Sequence, residues 1–337
     1  MNILVTGGAG YIGSHTVREL IKHYNNIIVY DDLSSGHQQA IEKINSKLKS
    51  KKIKFVKGNI NEFNKLSNLM KNEKIDAVIH FAGSIQVGES VQSPGKYFYN
   101  NVCAGTILLD AMVLNNIKHI VFSSSAGVYG EPKKIPIKET DPKAPVNTYG
   151  TTKLIFEEVL VRFYIAYGIN FCVLRYFNAA GASFDGLIGE NHDPETHIIP
   201  LIIETAIGKR KKFTIFGKDY KTKDKTCVRD YIHVEDLASA HVKALKLIKE
   251  KNRCYVFNLG LGKGFSNLEL VNAVKKVSGV DFNVEYGPRR AGDPAKLIAD
   301  ASNAKKELKW KPKYDTIESI IKTAYKWHKE NPKGFSK

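Results

Sequence analysis

The sequence predicts an α/β fold in which a doubly wound parallel sheet is followed by a smaller C-terminal α/β lobe. Three observations carry that expectation. A short apolar strand runs into a glycine cluster within the first thirteen residues. Apolar strands and helical stretches then alternate as far as about residue 180. Past that point the alternation gives way to a polar loop and shorter, mixed elements. Alternation of this kind covers both faces of a sheet with helices, which is what parallel strands require.

The first strand is Ile3-Leu4-Val5, and Ser14 to Lys22 has helical spacing with Val17, Leu20 and Ile21 on one side. The glycines therefore sit in a strand-to-helix turn, where they allow positive φ, close helix packing and backbone N–H groups turned toward a pyrophosphate. Gly8, Gly10 and Gly13 fit G-x-G-x-x-G, and Gly7, Gly10 and Gly13 fit the related three-residue spacing. Ile27 to Tyr30 forms a second strand that ends in Asp31-Asp32. Asp31 stands where a Rossmann-type unit puts the carboxylate that accepts from the adenosine ribose. No arginine occurs between Leu33 and Gln39 to neutralise a 2′-phosphate, so NAD is favoured over NADP.

Further strands are expected at Ile53–Val56, Asp76–Phe81, Lys118–Ser123 and Asn170–Tyr176, with helices near 36–50, 62–72, 94–115 and 149–167. Pro94 suits the first turn of the long helix. Gly181 to Pro200 reads as a loop, and a helix follows to about Gly208. Short strands near 213–216, 254–258 and 282–286 mix with helices near 234–250, 266–278 and 316–330.

Composition excludes several classes. Hydrophobic residues make up 43% and charged residues 25% of the 337, as in an ordinary globular chain. No apolar run is long enough to span a bilayer, so no membrane association is expected. A strand beginning at Met1 or Asn2 leaves no room for a signal peptide. Cys103, Cys172, Cys227 and Cys254 are far apart and form no C-x-x-C pair, which suits reduced thiols in the cytoplasm. The 51 Lys and Arg against 34 Asp and Glu give +17, but the lysine clusters are scattered and belong to no nucleic-acid module. Specific nucleic-acid binding is not expected.

The second chemical signal is Tyr149-Gly150-Thr151-Thr152-Lys153. Positions i and i+4 share a helix face, so the phenol and the ammonium project together. A free tyrosine titrates near ~10. A neighbouring cation favours the phenolate, which makes Tyr149 a general base for an alcohol with Lys153 as its electrostatic support. The fifth strand ends in Ser123-Ser124-Ser125-Ala126, at the strand edge where open α/β sheets bind ligands. Two histidines five residues apart, His192 and His197, do not share a helical face as an H-E-x-x-H pair would, so no metal is expected.

Together these motifs resemble the extended short-chain dehydrogenase/reductases that act on nucleotide-sugars. The segments Val5 to His15, His80 to Gly83, Ser123 to Gly130, Arg175 to Asn178, Cys227 to Val234, Pro288 to Asp293 and Trp327-His328 are similar to the UDP-glucose 4-epimerase family. The resemblance implies residues 1–180 as an NAD-binding Rossmann domain and 181–337 mainly as a UDP-sugar lobe, some of whose segments return to the Rossmann sheet. It implies reversible 4-epimerisation of UDP-galactose and UDP-glucose through a 4-keto sugar with tightly bound NAD, and a homodimer built on the helices near 94–115 and 149–167.

By the same resemblance, Ser125, Tyr149 and Lys153 are catalytic, and Ser123 and Ser124 are structural, although Ser123 also borders the cofactor. Gly7, Gly10, Tyr11, Ile12, Gly13, Asp31, Asn59, Ile60, Phe81, Ala82, Gly83, Asn100, Ser123, Tyr149, Lys153 and Tyr176 fall at the cofactor. Ser125, Tyr149, Asn178, His197, Ile198, Phe216, Arg229, Arg290, Asp293 and Leu297 fall at the substrate, with Arg229 and Arg290 suited to the two phosphates. Leu297 takes the place of a gatekeeper beside the sugar C2 substituent, and a side chain shorter than tyrosine there implies room for an N-acetyl group. Two positions depart from the family pattern: Asn59 where Asp is common near the adenine, and Ile85 where some members carry lysine. The alternatives are a 4,6-dehydratase, a decarboxylase or an NAD-sensing regulator on the same fold. A dehydratase needs an acid/base pair after the strand-five hydroxyl, where this chain has Ala126-Gly127-Val128. Regulators can lose the Tyr or the Lys, and this chain keeps both.

Overall fold

Strands that are apolar on both faces must be covered on both, and five of them dictate the centre of this molecule. The structure, a computed structural model, describes residues 1–49, 53–289 and 294–335. In chain order the first half runs β1 (Asn2–Thr6), α1 (Tyr11–Leu20), β2 (Asn26–Asp31), α2 (Gln38–Ser46), β3 (Lys54–Lys57), α3 (Phe63–Asn72) and β4 (Ala77–His80). It continues through α4 (Val87–Gln92), α5 (Pro94–Phe98), a π-helical turn (Tyr99–Cys103), α6 (Ala104–Leu114), β5 (His119–Ser125), a 3-10 turn (Ala126–Tyr129), α7 (Thr148–Tyr167) and β6 (Asn170–Tyr176). The remainder comprises β7 (Asn178–Ala180), α8 (Ile198–Ala206), β8 (Phe213–Phe216), β9 (Val228–His233), α9 (Val234–Lys251), β10 (Tyr255–Leu259), β11 (Gly264–Ser266), α10 (Asn267–Ser278), β12 (Val284–Gly287), β13 (Lys296–Leu297), α11 (Ser302–Glu307) and α12 (Ile317–Glu330).

Seven strands form one parallel sheet in the order β10-β6-β5-β4-β1-β2-β3. Side chains alternate across it as a two-residue period demands. Ile3 and Val5 enter the core beneath α1, α2 and α9, while Leu4 enters the opposite core with α3, α6 and α7. The edge strand β3 exposes Lys54 and Lys57, charges that discourage further pairing. The C-terminal lobe holds a mixed four-stranded sheet around β9, a two-stranded sheet of β8 and β12, and an apolar core shared by α8, α10 and α12.

β10 lies beside β6 in the main sheet and α9 packs on α1, so this stretch of the second half belongs to the first layer. Three features differ from the sequence expectation. The expected helix at 94–115 is broken by the π-helical turn, with a separate α4 before it. Pro94 does open α5. The helix expected to reach residue 50 stops at Ser46, and residues 50–52 lie outside those described. Strands β7, β9, β11 and β13 were not anticipated, because three of them span only two or three residues and their pairing is long-range.

Behind the carboxyl ends of β5 and β6 lies a buried polar network. The Arg175 guanidinium meets the Glu157 carboxylate at 2.6 Å. Ser124 Oγ donates to Glu157 Oε1 at 2.6 Å, Arg175 donates to the Tyr129 hydroxyl at 2.9 Å, and Tyr129 donates to Asn258 Oδ1 at 2.7 Å. One network thus ties β5, β6, β10, α7 and the 3-10 turn together. Breaking one side of a buried pair leaves an uncompensated charge, so Glu157→Ala should destabilise the chain by about 3–5 kcal/mol in urea denaturation. A loss under about 1 kcal/mol, the worth of a surface pair, would show that the network does not hold these elements.

Candidate functional site

Strand order reverses on either side of β1, and ligands of open α/β sheets bind at such a crevice beyond the strand carboxyl ends. A cleft of about 1550 Å³ opens there, between the main sheet and the C-terminal lobe. Gly7, at φ +70, takes the chain off β1, and a Cβ there would stand 2.5 Å from the Ala82 nitrogen. A Cβ on Gly13 would stand 2.2 Å from the Gly7 carbonyl oxygen. Gly7, Gly10 and Gly13 line the cleft, so the three-residue spacing is the one that faces it. No side chain caps the N-terminus of α1, whose first-turn N–H groups are thereby left for an anion.

Asp31 lies at the end of β2, accepting from the Ala9 N–H and the Leu33 N–H at 2.9 Å each. Burial raises its pKa and these two donors lower it. Tyr11, Ile12, Asn59, Ile60, Phe81, Ala82, Gly83, Asn100 and Tyr176 all border the same cleft. Asn59 donates to Asp32 Oδ2 at 2.7 Å, and its own Oδ1 accepts from the Asn61 N–H at 3.1 Å. A glycine cradle that a Cβ would fill, a helix N-terminus and a strand-end carboxylate suit a dinucleotide with a free 2′-hydroxyl, as NAD has.

The Ser, Tyr and Lys meet at the cleft floor. Ser125 Oγ accepts from the Gly127 N–H at 3.1 Å and lies near enough to the Tyr149 hydroxyl to act on its titration. Burial pushes the Tyr149 phenol above its ordinary pKa, and the Ser125 contact pulls it back. Lys153 Nζ donates to the Ser123 carbonyl at 2.9 Å and stands 5.7 Å from the Tyr149 ring centre. Burial brings the Lys153 pKa down to about 8, while the Glu157 carboxylate one turn further along α7 opposes that fall. Ser123 Oγ pairs with the Tyr176 hydroxyl, so of the three serines Ser125 is the one in contact with Tyr149.

On the other wall stand Asn178, His197, Ile198, Phe216, Arg229 and Leu297. Asn178 donates to the Asp230 carbonyl at 3.0 Å, and Arg229 to the Val228 carbonyl at 2.9 Å. Leu297 pairs with Arg229 across β13 and β9 and also touches the small core of Val128, Tyr129 and Phe177. Arg290 and Asp293 lie outside the described residues. Ile85 is exposed on the cleft wall.

Several contributors escaped the sequence reading. Asn101, in the π-helical turn, accepts from the Ser84 N–H at 2.7 Å and donates to Thr152 at 3.1 Å, pinning the Gly83 loop to α7. Its only sequence signal was an asparagine inside an apolar helix. The segment from Glu190 to His197 is a loop ahead of α8, so the helical-face argument against a metal does not apply to it. Glu190, His192, Glu195 and His197 converge there, and the carboxylates hold the His197 pKa up at about 9 against the opposing effect of burial.

The family model described as GDP-mannose 4,6 dehydratase matches residues 4–323. The UDP-glucose 4-epimerase of Lactobacillus helveticus is 51% identical over 335 residues, covering 99% of each chain. The chain belongs to the UDP-glucose 4-epimerase family. A crystal structure of the UDP-glucose 4-epimerase from Bifidobacterium longum in complex with NAD+ and UDP matches at TM-score 0.93 and 40% identity, covering 99% of this chain and 100% of that one. The UDP-Glc/GlcNAc 4-epimerase from Campylobacter jejuni matches at TM-score 0.85 and 47% identity, covering 98% and 99%. The resemblance carried by the motifs, the α/β class and the NAD expectation all agree with these relatives.

Asp31 sets a test of the cofactor. The protein should release NAD on denaturation, with NADP a minor fraction, because a buried carboxylate repels a 2′-phosphate. Enzymatic cycling assays specific for each dinucleotide measure the ratio, and a supernatant dominated by NADP would overturn the reading of this strand end.

Proposed function

We propose that this chain interconverts UDP-galactose and UDP-glucose, with Tyr149 as the acid/base group, Ser125 as its hydrogen-bonding relay and Lys153 as the electrostatic partner. The observation that carries the reading is that these three side chains and the Gly7-Gly10-Gly13 turn face one cleft. Bound NAD+ would supply a hydride acceptor for the sugar C4, so that a 4-keto sugar forms and can take the hydride back on its other face. Burial disfavours the Tyr149 phenolate. The Lys153 ammonium and the Ser125 hydroxyl favour it, and it is the phenolate that takes the C4 hydroxyl proton, becoming a phenol that returns the proton when the hydride comes back. Asn178, His197, Ile198, Phe216 and Arg229 would hold the UDP end. Anchoring at the remote nucleotide leaves the sugar loosely held and able to turn.

A dehydratase is the rival that the name of the matching family model raises. Its elimination step needs an acid and a base beside the sugar, and the residues after Ser125 are Ala126, Gly127 and Val128, the first and last buried. Neither side chain can exchange a proton, which favours epimerisation.

The wider reading is a cytoplasmic homodimer. All four cysteines are free, and no helix among the described residues is long and apolar enough to cross a membrane. Phe98 and Leu114 on the α5–α6 helix, with Ile155 and Ile165 on α7, are exposed apolar groups suited to helix-on-helix association. We take residues 1–180, with α9 and β10 added, as the dinucleotide-binding part and the remaining C-terminal elements as the UDP-sugar lobe.

Incubation with UDP-galactose and no added NAD, followed by coupled oxidation of UDP-glucose, tests the activity. Tyr149→Phe should lower kcat by about 10²–10⁴-fold while the NAD content of the protein is unchanged. Turnover near wild type would remove Tyr149 from its role.

Leu297 governs substrate breadth in this reading. An extra group in an apolar pocket is discriminated by only about 1–3 kcal/mol, so UDP-N-acetylgalactosamine should turn over more slowly than UDP-galactose without being excluded. Leu297→Tyr should remove the N-acetyl activity selectively. Equal loss on both substrates would return Leu297 to its packing role against Val128 and Phe177.

A further inference from the structure

We propose that Glu190, His192, Glu195 and His197 form a binding site for a divalent cation of the zinc class, occupied in competition with the nucleotide. The competition rests on the proposed function, whereas the cation site stands on its own geometry. The four side chains each offer one donor atom, and the four atoms all lie within 4.8 Å of one another. His192 Nδ1 is 3.5 Å from Glu190 Oε1 and 3.6 Å from Glu195 Oε1. Donors bound tetrahedrally at zinc distances are separated by roughly 3.3 Å, so these atoms need to move little.

A second observation points to a missing partner. His192 Nδ1 is buried and has no hydrogen-bond partner, and its side chain is only 12% exposed. A buried nitrogen without a close partner is costly, and this one meets two carboxylates only at the longer distances of an ion pair, 3.5 and 3.6 Å. The Glu195 carboxylate is already held in place: its Oε1 accepts from the Thr196 and His197 N–H groups at 2.8 Å each. Oriented donors of this kind are what fix metal ligands in their working rotamers. Glu190 Oε1 pairs with His197 Nδ1, a hydrogen bond that a cation between the two would replace.

The donor chemistry selects the ion. Two imidazoles and two carboxylates suit zinc and its borderline neighbours, whereas calcium and magnesium favour oxygen-only sets. Two carboxylates in a partly buried site match a double positive charge. All four residues line the cleft, so an ion held there engages His197 and faces the space assigned to UDP.

The test uses the NAD-loaded full-length chain and zinc chloride, titrated against a chromophoric chelator. Wild type should take up one equivalent of zinc per chain. Glu190→Gln and His192→Gln should each weaken that binding by about tenfold or more, with NAD retention checking that each variant is folded. Saturating UDP should weaken zinc binding in wild type. Absence of a stoichiometric site, or undiminished binding in both variants, would overturn the site; zinc held as tightly with UDP present would overturn the competition. Chelator titration requires no turnover, so its failure is distinguishable from failure of the epimerase assay.

Discussion

The backbone of Gly7 approaches that of the Ala82 segment too closely to admit a side chain, and the position of the cleft depends on that approach. A Cβ at Gly7 would stand 2.5 Å from the Ala82 nitrogen. The Gly7 N–H donates to the Tyr30 carbonyl at 2.9 Å, and the Thr6 carbonyl accepts from both Phe81 and Ala82. Three adjacent strands are therefore locked together at their carboxyl ends, just where the chain leaves β1 for α1. The first turn of that helix can face a ligand only because no side chain intervenes. A rigid parallel sheet thus supplies an opening whose walls are backbone rather than flexible side chains.

The geometry at the cleft floor depends on α7 in a similar way. Tyr149, Lys153 and Glu157 are spaced four apart along it, on a face turned toward β5 and β6. Glu157 is fixed by Arg175 and Ser124, so the helix cannot turn about its axis without breaking a buried ion pair. Lys153 is held between the Ser123 carbonyl and the Phe122 ring, 5.0 Å from its centre. Burial acts in opposite directions on the two titrating groups, raising the phenol and bringing the amine down to about 8. Each shift opposes the charged form of its group. The nearby Ser125 hydroxyl and Glu157 carboxylate restore part of the balance.

The sequence made legible what rests on local pattern. The glycine turn, the Asp31 strand end and the Tyr149–Lys153 spacing each follow from a period of two, three or four residues, and all reach the cleft. Strands β1, β2, β4, β5 and β6 could be read because each is a buried apolar run. The short strands β7, β11 and β13 could not, because two or three residues carry no periodicity and are held by β9 from far along the chain. The π-helical turn was invisible for a related reason: one extra residue in a helix leaves the apolar pattern nearly intact while it redirects Asn101. The convergence of Glu190, His192, Glu195 and His197 has no signature in helical spacing, because a loop carries all four. A loop brings donors together without regard to the 3.6-residue period.

Asn59 shows how a departure from a family pattern can be absorbed locally. Asp is common at this position in the family, and here Asn donates from Nδ2 to Asp32 Oδ2. An aspartate at 59 would set two carboxylates against each other at that distance, beside a third at Asp31. The neutral amide removes that repulsion and supplies the donor that orients Asp32. Its Oδ1 remains an acceptor with two lone pairs, of which the Asn61 N–H takes one. The geometry therefore keeps one acceptor at the cleft edge while it relieves the charge density at the end of β2, exchanging a carboxylate's second acceptor for the donor that holds Asp32.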